Sequence, residues 1–193
     1  MKLHLFLVFS IIFLTSDSIQ AQVKKFDSTV SMGRAGYRVI CGNKNLDQND
    51  VSLKLNGFKE TSGDFRFAIK GRIAGIEIDD LNTDSYPDLL IYAYTGPNGQ
   101  YGTVYGFVSA ENKNVIPFSL PDVLLDGKIS DGYKGHDEFS LLEGTLMQKF
   151  PVYKPNDSTG KPTGGRRVVL YKVNGSQNEG YRFKMIKFYD IKD

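Results

Sequence analysis

The octapeptide DLLIYAYT at residues 88–95 is apolar at odd and even positions alike. Side chains along a strand alternate between its two faces, so a strand of this composition has two sides to keep from water. It fits a central strand with a covering layer on each face. Ile76 and Ile78 alternate with polar residues before it, and TVYGFVS at residues 103–109 resembles a partner strand after it. The stretch 72–108 therefore reads as three strands joined by two polar loops, 79–88 and 95–102. The strands are scaffold, and the loops are the places where function can sit.

Period-two alternation, rather than a helical period, continues through the rest of the chain. Residues 25–32 and 36–41 read as strands that turn between Gly33 and Gly36. Val51, Leu53 and Leu55 share one face, followed by the turn signal Asn56-Gly57. Phe65, Phe67 and Ile69 alternate with Arg66, Ala68 and Lys70. Gly106, inside an apolar strand, marks a bulge or a close packing contact. Residues 115–120 read as a further strand, 121–125 as a short helical turn and 129–136 as a loop. Residues 139–142 and 145–153 form a hairpin through Glu143-Gly144. The segment 154–165 is the longest loop, and 166–173 pairs with 181–189 through a turn at 174–180. Many short strands at close spacing predict an all-β fold, a single-domain antiparallel β-sandwich with little helix.

At the N-terminus, Lys2 precedes a mostly apolar run from Leu3 to Leu14, a polar stretch from Thr15 to Gln20, and the small residue Ala21. This is the layout of a signal peptide cleaved after Ala21, with Ile19 where a small residue is usual. Residues 22–193 are then the exported domain, periplasmic or secreted. They contain no apolar segment long enough to span a bilayer. The only cysteine, Cys41, cannot make an internal disulfide. It follows YRVI and reads as a buried strand thiol. A dispersed net charge of +2 points away from nucleic acid and membrane surfaces as partners.

Asp80, Asn82, Asp84 and Asp88 fall at positions one, three, five and nine of a calcium-type loop, whose oxygens would converge on Ca2+. With the metal bound, the chain would be a secreted calcium-dependent binding module for cell-wall glycan or protein. Ser85 stands where such loops use glycine, and Ile91 where a closing glutamate is usual. The same residues also fit a loop whose Asp and Asn side chains cap their own backbone without a cofactor, and this reading is favoured. The second loop combines Gly96, Pro97, Gly99 and Gly102 with Asn98, Gln100 and Tyr101. Tyrosine brings contact area and a hydroxyl at low conformational cost, which suits a probe of a polar cleft. On composition alone the pattern fits better a hairpin turn with its tyrosine packed back on the sheet. His136 lies beside Asp137 and Glu138. Neighbours on an extended segment point opposite ways, and no GxSxG nucleophile motif is present, so no catalytic residues are expected.

Four separated pieces, in order, are DLNTDSYPDLLIY from Asp80, GQYGTVYGF from Gly99, GYKGHDEFSLLEGTLMQKFPVYK from Gly132 and KPTGGRRVVLYKV from Lys161. Through them the chain resembles the periplasmic inhibitors of invertebrate-type (i-type) lysozyme over most of residues 80–173. The resemblance implies a β-sandwich, often dimeric, that is not an enzyme. It implies that a protruding Ser-Gly-x-Tyr loop enters the active-site cleft of the lysozyme partner. Tyr101 matches the tyrosine of that pattern, Gly99 the glycine and Gln100 the variable position. Asn98 stands where the serine is expected.

Overall fold

The computed structural model describes residues 24–59, 64–158 and 160–192; the expected signal segment 1–21 lies outside them. Three consecutive meanders make three sheets. The first contains β1 (Phe26–Met32), β2 (Ala35–Cys41), β3 (Gln48–Asn56) and β4 (Asp64–Lys70). The second contains β5 (Arg72–Asp79), β6 (Asp88–Thr95), β7 (Tyr101–Ala110) and β8 (Asn114–Ser119). The third contains β9 (Glu138–Leu142), β10 (Thr145–Pro151), β11 (Arg166–Ser176) and β12 (Gly180–Ile191). Every pairing of neighbouring strands is antiparallel. Among the described residues the helical elements are two 3-10 turns, Pro97–Gly99 and Val123–Leu125. None is long and apolar enough to cross a membrane. The expected all-β antiparallel fold is found, built from three sheets with the second in the middle.

Strand β6 shows why the middle position belongs to the second sheet. Leu89, Ile91 and Ala93 join one apolar cluster with Tyr37, Val39, Val51 and Leu53 of the first sheet. Leu90 and Tyr92 join another with Leu146, Phe150, Val169 and Phe183 of the third. Burying a leucine or isoleucine side chain contributes about 1.5–3 kcal/mol, so stripping either outer sheet away would cost several such terms at once. Cys41 is a free thiol buried in the first of these clusters, and burial pushes its pKa up.

Polar side chains lock the layers. The Tyr37 hydroxyl donates to the Pro87 carbonyl across the first interface. The Asn43 amide copies a strand, donating to Ile73 O at 2.8 Å and accepting from Ile73 N at 2.9 Å. On the far side Arg167 is buried, makes a two-pronged ion pair with Asp190, and donates to the carbonyls of Ile129 and Asp131. It thereby pins residues 129–131 to the third sheet.

One connection differs from its sequence reading. The last hairpin pairs up to Ser176 and Gly180, which shortens its turn to residues 177–179. Backbone pairing needs no apolar side chain, so alternation understates how far an exposed hairpin continues.

Gly106 is a site of close packing. A Cβ built there would lie 2.2 Å from the Phe118 ring. Gly106→Ala is expected to lower stability by about 1–3 kcal/mol through overpacking, whereas Gly127→Ala, with open space around the position, should be close to neutral. Denaturant unfolding of the two variants checks this.

Candidate functional site

The acidic loop folds around its own backbone. Asp80 accepts from Asp84 N at 2.9 Å and Ser85 N at 2.8 Å. Asp84 accepts from Tyr86 N and from the Asn82 amide, and Asn82 accepts from Asp84 N. Ser85 takes a φ of 68°, the left-handed region glycine would occupy more readily, and the Asp80 carboxylate holds its N–H there. Asp88 is fully buried; it accepts from Leu81 N at 2.9 Å and Ser109 N at 2.7 Å. Asp79 reaches out to Gly144 N, in the β9–β10 turn of the third sheet, at 2.8 Å. Among the described residues no three His, Cys, Asp or Glu side chains form a group that could hold a metal ion. The arrangement is that of a self-capped turn that fastens all three sheets.

The second loop presents one aromatic side chain in a fixed setting. Pro97–Gly99 makes a 3-10 turn closed by Gly99 N to Gly96 O at 3.1 Å and Gln100 N to Pro97 O at 3.2 Å. Asn98 sits at φ 56°, ψ 23°, a left-handed conformation in which asparagine is enriched among non-glycine residues. This is a local reason for asparagine at that position. Tyr101 packs between two glycines. A Cβ on Gly96 would lie 2.8 Å from one edge of its ring, and one on Gly135 would lie 2.9 Å from the other. Both glycines also have positive φ, 76° and 81°, so neither position tolerates a larger residue easily. Tyr101 as a whole is 37% exposed. Its hydroxyl has no hydrogen-bond partner among the described residues.

The segment 132–137 braces this loop from below. Gln100 donates its side-chain amide to Lys134 O and accepts from His136 N on its carbonyl. Asp137 is the anchor. Its carboxylate accepts from Gly102 N at 2.8 Å, the Tyr133 hydroxyl at 2.7 Å and the Gln148 amide at 2.7 Å. Gln148, itself fully buried, accepts from the Tyr171 hydroxyl at 3.1 Å. A chain of polar contacts thus runs from the core of the third sheet to the base of the Tyr101 loop. Burial raises the pKa of Asp137 against the lowering effect of these donors. Burial, followed by the Asp137 charge, raises that of Tyr133. On either side of Asp137, His136 is exposed, and Glu138 is exposed and ion-paired with Lys149 and Arg166. The three neighbours share no site.

Sequence reasoning singled out Asn98, Gly99, Gln100 and Tyr101 but did not anticipate that Gly135, Asp137 and Gln148 lie beneath this loop. The missed signal was GHDEF beside a Gly-rich loop: an acidic residue flanked by alternating exposed ones is a candidate inward-facing acceptor. Of the candidate metal ligands, Asp80, Asn82 and Asp84 lie together on the loop. Asp88 turns inward to Ser109.

Asp88 gives a pH test. Burial pushes its carboxyl up to about 7, against the lowering effect of the N–H groups of Ser109 and Leu81. A carboxyl with a folded pKa above its unfolded value binds more protons when folded, so its contribution to stability is lost as pH rises from about 4 to about 7. Asp88→Asn cannot titrate. The unfolding free energy of wild type minus that of Asp88→Asn should therefore fall across this window; a flat difference would refute the assignment. No protein-family model, curated protein or solved structure is significantly similar to this chain.

Proposed function

We propose that this protein is an exported, non-enzymatic inhibitor of i-type lysozyme that plugs the lysozyme cleft with the loop 95–102. The observation that carries the reading is the setting of Tyr101: a ring held between Gly96 and Gly135 with an unengaged hydroxyl. Lysozymes cleave glycosidic bonds with paired carboxyl groups in a cleft. A rigid loop that sets a phenol hydroxyl and the Asn98 amide against those carboxyls would displace the sugar. Because the 3-10 turn and the Asp137 network already order the loop, little ordering cost remains on binding. The loop itself carries no charge, while Lys134 lies exposed on the brace beside it. A positive charge there complements an acidic cleft and speeds encounter. The family resemblance adds a periplasmic or secreted location and a homodimer.

Tyr101→Ala is expected to weaken inhibition by about one to three orders of magnitude, each order being worth about 1.4 kcal/mol, while the thermal midpoint hardly changes. Asn98→Gly keeps the left-handed backbone and removes the amide, so a smaller loss there measures the side chain alone. Turnover of cell-wall substrate by i-type, c-type and g-type lysozymes is the assay. Full activity of all three in the presence of excess protein would sink the reading.

A further inference from the structure

Strand β8 ends where Ser119 pairs with Tyr105, and the chain then turns away through Pro121. Strand β7 continues beyond this point to Tyr101. The gap left beside β7 is an open cleft of about 450 Å³, within the range of about 300–1,000 Å³ typical of small-molecule sites. Three tyrosines line it: Tyr101, Tyr105 and Tyr133. The opposite wall is the 3-10 turn after β8, where Leu124 is 60% exposed.

The chemistry of the lining selects a ligand class. The side chains of Thr103 and Ser119, the Lys70 ammonium and the Tyr101 hydroxyl all face this cleft region without a hydrogen-bond partner among the described residues. The acidic loop is the opposite case, with every carboxylate held by backbone N–H groups. Charge in the cleft is slight and mixed, one lysine against Asp122, which disfavours phosphates and other polyanions. Aromatic side chains interleaved with neutral donors and acceptors in the lining suit a molecule that is apolar on one face and rich in hydroxyls around its rim. An extended peptide is a poorer fit, because Leu120 N donates to Val104 O and closes the strand edge after three residues.

We propose that this cleft binds a short neutral oligosaccharide, stacked on the tyrosines and hydrogen-bonded by Thr103 and Ser119. The site shares Tyr101 with the loop 95–102 but not the tip at Asn98, and it does not depend on lysozyme being the partner. Titration of the full exported chain with chitotetraose and with maltotetraose, followed by amide and methyl NMR shifts, tests it. The expected result is saturable shifts centred on residues 101–105, 119–124 and 133 with at least one sugar, and the preferred sugar shows whether N-acetyl groups are read. The double variant Thr103→Val, Ser119→Ala removes two lining hydroxyls outside the core and should weaken binding about tenfold without moving the rest of the spectrum. Absence of saturable shifts with both sugars at millimolar concentration, shifts centred elsewhere, or wild-type affinity in the double variant would each overturn the proposal.

Discussion

Strand β6 has no polar face, and the architecture follows from the need to cover both of its sides. A two-layer sandwich would leave either Leu90 and Tyr92 or Leu89 and Ile91 against water. The first and third sheets are the two covers, with exposed charged residues such as Arg38 and Lys172, while β12 also exposes apolar side chains such as Ile186. The connection from β5 to β6 must then pass between layers that have no covalent reason to stay in register. Its carboxylates supply the register. Asp79 bonds the third sheet, Asp88 bonds the end of β7, and the carbonyl of Pro87 accepts from Tyr37 in the first sheet.

A second buried carboxylate repeats this logic at the other end of the middle sheet. Asp137 collects a backbone N–H from β7, a hydroxyl from its own segment and an amide from β10. A buried charge is costly unless several donors surround it, so the network holds only in one geometry. That geometry fixes where Gly102 lies, and with it the direction of the Tyr101 ring. The loop at the candidate site is therefore ordered by groups distant in sequence rather than by its own turn residues alone.

The strands were largely legible because their signal is local. A continuous apolar run placed β6 at residues 88–95, turn residues found the Glu143-Gly144 turn, whose residues have φ of 49° and 64°, and the apolar stretch before it put Cys41 in the core. The reach of β11 and β12 was less legible, since paired backbone carries no mark in polar side chains. In the sequence Arg167 is the second of two adjacent arginines that open the strand 166–173. Its burial depends on Asp190 and on two carbonyls near residue 130, partners that no local pattern announces.

The sequence by itself determined an all-β chain, a central strand hidden on both faces, and two loops with distinct chemistry, because side-chain periodicity and turn residues act over a few positions. Tertiary structure alone decided that there are three sheets, and that residues 132–137 lie beneath the Tyr101 loop. It also decided that a cleft opens where β8 stops short of the end of β7. These depend on which distant groups satisfy a buried carboxylate or fill the space beside a glycine. Such choices are settled by packing and hydrogen-bond completion across the whole fold.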